Sequence, residues 1–377
     1  MHEFIKWTAT EAVARLARGE VSPLELLDAA EARISETNLQ INAMVTLCFD
    51  RARDRARQLM SGSRSGRPAE FLHGLPIAVK DNTDVEGLRC TSGSRVYENR
   101  IAPGSDPVVQ RLEAQGALIV GKTNLPEFAA GGNTFNDVFG ATRNPWDTRM
   151  SASGSSGGSA AAVRAQLCAA AIGTDTMGSV RVPASYCGVT AYKPSADLVS
   201  NVGVVPLCHM LDTVGWLTQS VADAQALASS LWPMGQTLLS AHESLPSPSL
   251  ATATASASAS ASASASTRPL RLGRLVQAAG VDLAPEVAQA YAQLCEQLTR
   301  DGVVWVDVDV PLWQPTALRQ AGLLLSERDA AAHWTAHLGA DLPGLSEGFA
   351  RMLRYPERAG AAKMDQAQTL LDTVRAD

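Results

Sequence analysis

The sequence predicts an α/β fold, and three observations carry that prediction. Short apolar runs at 77–79 and 117–120 lack polar alternation and read as strands buried on both faces. Segments with helical spacing stand between and around them. Farther on, residues 270–275, 284–300 and 303–310 repeat a strand, helix, strand rhythm. With 46% hydrophobic residues among 377, the chain can bury one large core or two ordinary ones.

In order, residues 8–18 and 23–37 carry helical spacing. Ser22 before Pro23 is an N-cap followed by a proline at the first helical position, and Leu24, Leu27 and Ala30 recur on one face. A third helix is predicted over 43–60, with the arginine and aspartate cluster at 51–57 as its solvated face; the polar segment 61–67 breaks the pattern. A strand over 77–79 then delivers Lys80 from an apolar run. Residues 106–115 read as a helix, 117–120 as a strand, and 124–128 as the start of the next element. Glycine, asparagine and proline make 129–150 a loop region able to line a pocket. A Gly/Ser stretch at 151–159 leads into a predicted helix of small side chains over 160–171. Short strands and turns fill 190–217, and a helix covers 221–231.

Between 240 and 267 the chain is low in complexity, with alanine and serine alternating through 255–266. These side chains offer little to bury, so the segment reads as a disordered insertion and marks the internal boundary. The helix over 284–300 puts Val287, Tyr291, Leu294 and Leu298 on one face, and helices over 318–337 and 364–374 follow. The expected organisation is N-terminal helices at 1–66, a core at 67–240, the insertion at 241–268, and a C-terminal α/β part of the same domain at 269–377.

Several function classes are excluded. A net charge of −6 gives no footprint for nucleic acid. Glu3 and Lys6 stand where a signal peptide needs a basic region and an apolar run, and no segment approaches a membrane span, so a soluble, cytoplasmic protein without a membrane partner is expected. The six cysteines are scattered and read as reduced small hydrophobes. The string from Gly116 to Thr123 matches G-x-x-x-x-G-K-[ST], yet its interval is β-forming and Pro126 closely follows Thr123, which opposes the loop and long helix of a phosphate cradle. His333 and His337 are four apart, but no glutamate follows His333, so no metal is expected. His73 and His209 are unaccompanied, and Ser179 lacks a G-x-S-x-G elbow, which opposes a Ser-His-Asp hydrolase.

Three features remain. Lys80 is either a strand-end lysine paired with an acid or a desolvated lysine lowered towards neutrality and able to act as a base. The stretch 151–159 is either a flexible linker or a loop that brings backbone and hydroxyls close to a reacting centre. The small-residue loop within 173–185 presents Ser179 just before a helix start, where backbone N–H groups can converge on an anion. A serine can be activated by a lysine instead of a histidine.

With these features, Gly74-Leu-Pro-Ile-Ala-Val-Lys-Asp-Asn82, Gly154-Ser-Ser-Gly-Gly-Ser-Ala-Ala-Ala162 and Gly173-Thr-Asp-Thr-Met-Gly-Ser-Val-Arg-Val-Pro-Ala-Ser185 resemble the amidase signature family, and similar context extends the resemblance over residues 5–235. The resemblance implies a mixed, twisted sheet covered by helices on both faces. It implies a triad of Ser179 as nucleophile, Ser155 as a bridging serine after a cis peptide, and Lys80 as neutral base. The oxyanion hole would be the N–H groups of Thr176, Met177, Gly178 and Ser179, and Ala129, Ala130 and Gly131 would line the substrate site. Ser156, Asp175 and Arg181 read as polar groups that fix the loops. The implied activity is hydrolysis of a small carboxamide through an acyl-enzyme, releasing ammonia or an amine without metal or cofactor, in a chain open to homodimer formation. The alternatives are an A-type subunit of an amidotransferase complex and a catalytically impaired, truncated amidase paralogue. Two positions depart from the family: Met177 and Ser153 replace usual glycines, so backbone strain is expected wherever φ must be positive. Family members also run on past this chain's end, which implies a fold truncated at its C-terminus.

Overall fold

A computed structural model describes residues 6–61, 72–231, 269–275, 283–310 and 314–376. Helices α1 (Ala9–Ala17) and α2 (Pro23–Ile41) open on capping boxes, Thr8 with Glu11 and Ser22 with Glu25. Asn42, left-handed at φ 51°, stops α2. The helix predicted over 43–60 is divided into β1 (Met44–Leu47) and α3 (Phe49–Ser61). Val45 and Thr46 favour a strand, and a partner strand is available to pair with them, so pairing overrides helical spacing.

The chain continues through β2 (Pro76–Lys80), α4 (Pro107–Ala114) and β3 (Leu118–Thr123). The element expected to start at 124–128 is a single 3-10 turn, Glu127–Ala129. The predicted loop at 129–150 holds two small hairpins, β4 (Phe135–Asn136) with β5 (Gly140–Ala141) and β6 (Arg143–Asn144) with β7 (Asp147–Ser151). The small-residue helix is shorter than predicted: α5 (Gly157–Arg164) ends before Gln166 at φ 61°, and β8 (Ala170–Asp175) takes the residues assigned to its last turn. Small side chains suit both elements, and the ladder with neighbouring strands decides. Then come α6 (Arg181–Cys187), β9 (Thr190–Tyr192), β10 (Thr213–Thr218) and α7 (Val221–Leu231). The predicted insertion at 241–268 lies outside the described residues. Beyond it, β11 (Arg271–Leu275), α8 (Pro285–Arg300) and β12 (Val304–Val308) form a parallel βαβ unit, followed by α9 (Pro315–Leu338), α10 (Glu347–Leu353), α11 (Tyr355–Ala359) and α12 (Ala361–Ala376).

The six-stranded sheet has the order β1-β3-β2-β8-β10-β9, with β3, β2 and β8 parallel and the other pairs antiparallel. Its buried side chains divide by strand alternation. Ile77, Val79, Ile119, Ile172, Val214 and Trp216 pack with Leu16 of α1, Leu112 of α4 and Leu227 of α7. Ala78, Leu118, Val120, Ala171 and Leu217 pack with Leu27 of α2, Phe49 of α3, Ala161 of α5 and Ala184 of α6. Helices therefore cover both faces, as the resemblance implies. Gly158 lets α5 approach closely: a Cβ there would lie 2.4 Å from the Asn124 nitrogen.

Two compact units are present, one of Met1–Pro233 with Arg319–Asp372 and the other of Met234–Leu318 with Thr373–Asp377. The segment from Arg319 to Asp372 thus belongs with the six-stranded sheet and not with the βαβ unit beside it in sequence. Among the described residues, no helix is long and apolar enough to cross a membrane, and all six cysteines are free thiols.

Candidate active site

Parallel strands β2 and β8 end side by side, and their ends supply Lys80 and the segment Thr174–Asp175. Lys80 is fully buried. Its Nζ lies 2.7 Å from Ser155 Oγ, 3.0 Å from Ser156 Oγ and 2.9 Å from Thr174 Oγ1. The Thr174 carbonyl oxygen lies at 3.4 Å, so its neighbours at hydrogen-bond distance are three hydroxyls and one carbonyl, with no carboxylate among them. Burial lowers its pKa from 10.5 to about 7, against an opposing attraction from Asp212 and Asp175. Of the two readings open for Lys80, the acid-paired one finds no carboxylate at hydrogen-bond distance. The acid-paired lysine exists one strand over: Lys122 on β3, also fully buried, bonds Asp81 at 2.9 Å. Burial lowers the Lys122 pKa, but Asp81 and Cys90 together outweigh it, so that ammonium is held above its ordinary value. This pairing, inside a strand, removes the phosphate-loop reading of Gly116 to Thr123.

The Gly/Ser stretch is no linker. Ser153 through Ser159 are buried, the Gly154–Ser155 peptide is cis, and a Cβ on Gly154 would sit 2.6 Å from the Gly131 carbonyl oxygen. Gly131 thereby lies against the serine loop; it is exposed, Ala130 is half-buried, and Ala129 is buried at φ 61°. The Ser156 N–H donates to the Ser179 carbonyl at 3.0 Å, which joins this loop to the one bearing Ser179.

Ser179 is half-buried, and among the described residues its hydroxyl makes no hydrogen bond. Asp175 organises its loop: one carboxylate oxygen accepts the Gly178 N–H at 2.7 Å, and the other accepts the Val180 N–H at 3.1 Å. Arg181 grips the same carboxylate through two bonds of 3.0 and 2.9 Å. Burial raises the Asp175 pKa, but these donors outweigh it and hold the group below its ordinary range. The Gly178 N–H is therefore committed to Asp175 and is not free for an oxyanion, unlike the expectation. The N–H groups of Thr176, Met177 and Ser179 engage no partner among the described residues. Met177 also departs from its expectation: the positive φ, 111°, falls on Gly178. Ser153 does occupy a left-handed position, at φ 63°.

Sequence reasoning missed Thr174 and Asp212. Thr174 Oγ1 accepts from both Lys80 and Asn82 Nδ2. Asp212, just before β10, accepts the Thr176 hydroxyl at 2.5 Å. A lone aspartate in a turn carries no local signal; the antiparallel register that sets β10 beside β8 brings it here. Among the described residues, no group of three or more His, Cys, Asp or Glu side chains is placed to hold a metal ion; His333 and His337 stack at 6.2 Å.

Comparison with known proteins gives concordant relationships. A family model described as Amidase matches residues 25–358. The chain is 33% identical over 342 residues to the A subunit of a glutamyl-tRNA(Gln) amidotransferase from Thermosynechococcus vestitus, covering 90% of this chain and 68% of that one. It is 45% identical over 217 residues to the like-named protein of Synechococcus sp. (strain CC9311), covering 58% of this chain and 45% of that relative, less than half its length. Among solved structures, one described as an amidase aligns with a TM-score of 0.81 at 30% identity, over 98% of this chain and 78% of the other. The 6-aminohexanoate cyclic dimer hydrolase in complex with substrate aligns with a TM-score of 0.78 at 26% identity, over 99% and 76%.

Proposed function

The chain belongs to the amidase signature family, and on that premise we propose that it hydrolyses the C–N bond of a small carboxamide through Ser179. The supporting observation is the donor count around Lys80. The Ser156 hydroxyl donates to the Thr174 carbonyl at 3.2 Å and its oxygen accepts the Thr174 N–H at 3.3 Å, so one lone pair is left to accept a Lys80 N–H. Thr174 Oγ1 accepts the other. The Thr174 carbonyl lies farther off, at 3.4 Å, so on this reading the two N–H groups of a neutral amine go to Ser156 and Thr174 Oγ1 and its lone pair takes the Ser155 hydroxyl, the shortest contact at 2.7 Å.

Ser155 passes its proton to Lys80 and takes one from Ser179, whose Oγ attacks the amide carbon. The N–H groups of Thr176, Met177 and Ser179 stabilise the oxyanion. The proton returns from Lys80 through Ser155 to the leaving nitrogen, the C–N bond breaks, and ammonia or an amine departs from the acyl-enzyme. Water, deprotonated by the same route, then releases the acid and restores Ser179.

The test is ammonia or amine release from a panel of small primary and secondary amides. Ser179→Ala and Lys80→Ala are each expected to lower kcat/KM by about a thousandfold or more. Parental turnover in either variant would sink the assignment. The names of the relatives favour a second reading, in which the chain is the A-type component of an amidotransferase. That reading is separated by copurification of partner subunits and by turnover that depends on them.

A further inference from the structure

We propose that Asp212 is a positioning residue of this site, whose carboxylate both ties down the oxyanion loop through Thr176 and supplies the unpaired counter-charge acting on Lys80. The inference rests on the hydrolase reading above and names a component that reading leaves out. Its starting point is the division of labour between the two oxygens of Asp212. One accepts the Leu207 and Cys208 N–H groups at 2.8 and 3.0 Å and shapes the turn that precedes β10. The other oxygen is not needed for that turn. It reaches across to the Thr176 hydroxyl, on the loop whose N–H groups await the oxyanion.

The loop from Thr176 to Val180 is thus held from two sides. Asp175 binds the N–H groups of Gly178 and Val180, and Asp212 binds the side chain of Thr176. Met177 and Ser179, beside these anchors, keep their N–H groups free of partners among the described residues. Without the Thr176 tie, the first half of the loop would hang on backbone alone.

The two carboxylates differ in charge balance. The charged groups acting on Lys80 are Asp212 and Asp175, and its other neighbours are neutral, the hydroxyls of Ser155, Ser156 and Thr174 and the Thr174 carbonyl. Asp175 is already neutralised by the Arg181 guanidinium at 2.9 Å. Among the described residues no arginine, lysine or histidine pairs with Asp212, and Lys80 is the cation that acts on it. Burial raises the Asp212 pKa, while the Thr176 hydroxyl, the two N–H groups and Lys80 oppose the rise. On this proposal the Asp212 charge opposes the lowering that burial imposes on Lys80.

The chain has five lysines, so their side chains can be followed individually by carbon NMR in lysine-labelled protein across a pH series, without any turnover. Asp212→Asn is expected to move the Lys80 midpoint down by about one pH unit. Thr176→Val, which keeps the charge, should leave that midpoint in place and lower kcat about tenfold at unchanged KM, with Thr176→Ser restoring it. An unmoved Lys80 midpoint in Asp212→Asn, or an unchanged kcat in Thr176→Val, overturns the proposal. Should Asp212→Asn fail to fold, the reciprocal measurement decides: in Lys80→Met the Asp212 titration must move upward, and an unmoved titration overturns the counter-charge. Amide turnover that survives in Lys80→Ala would instead refute the hydrolase reading, and the NMR titrations would still judge the charge coupling.

Discussion

If the proposed mechanism holds, amide hydrolysis should rise with pH along a limb centred near 7, because that mechanism needs Lys80 as the neutral amine. A lysine at its ordinary 10.5 is neutral in about 3 molecules per 10,000 at pH 7, whereas one lowered to about 7 is neutral in about half, a gain of about a thousandfold in available base. Below the midpoint kcat/KM should fall about tenfold per pH unit. The assay is kcat/KM on one small primary amide between pH 5.5 and 9, with ammonia as the readout. Stability supplies a second, substrate-free check. Below about 7 both folded and unfolded chains carry the proton, and the full cost of the buried charge is present. Between about 7 and 10.5 the unfolded chain binds the extra proton, so the unfolding free energy gains up to about 1.4 kcal/mol per pH unit from Lys80 as pH rises through that window. Above 10.5 neither state is charged, and the contribution is level. A rate profile flat between pH 6 and 9, or a limb centred near 10, would refute the reasoning that burial makes Lys80 the base.

Two further outcomes follow from packing. Lys122→Met leaves the Asp81 carboxylate buried without its cation, and a loss of about 3–5 kcal/mol is expected in urea unfolding; a loss below 1 kcal/mol would show that Asp81 is adequately held by Thr91 alone. Gly322→Ala on α9 places a Cβ 3.2 Å from Met177 Cε, tight enough to offset the gain of about 1 kcal/mol from helix propensity. In a Met177→Ala background that gain should reappear in full, so a double-mutant cycle must show coupling between the two positions; strict additivity would mean that the contact carries no energy.

The local chemistry of the sequence was legible where one residue decides the structure. Ser22 with Pro23 marked the start of α2, and the apolar runs at 77–79 and 117–120 marked β2 and β3. It was least legible where two elements compete for the same small residues. Ala170 and Ala171 fit a helix as well as a strand, and only the partners β2 and β10 settle the matter. The same rule divided the expected third helix into β1 and α3. At the site, ordered motifs brought Lys80, Ser155 and Ser179 to attention, but Asp212 enters through strand register, which no single segment encodes.

Lys80 and Lys122 show why geometry, and not residue type, assigns chemistry here. Both are fully buried at corresponding ends of adjacent parallel strands, Lys80 one register step beyond Lys122's neighbour Val79. Desolvation acts on both in the same direction. What separates them is where the carboxylate stands: Asp81 bonds Lys122 directly, while no carboxylate lies at hydrogen-bond distance from Lys80, whose partners are three hydroxyls and the Thr174 carbonyl. A direct ion pair fixes the proton on Lys122 and makes that lysine structural. Without a direct ion pair, the proposed mechanism can have Lys80 exchange its proton with the hydroxyl at 2.7 Å, which belongs to Ser155, in the loop bonded to that of Ser179. Moving a carboxylate into direct contact with Lys80 should therefore abolish catalysis by locking the proton in place, even though it would strengthen the fold locally.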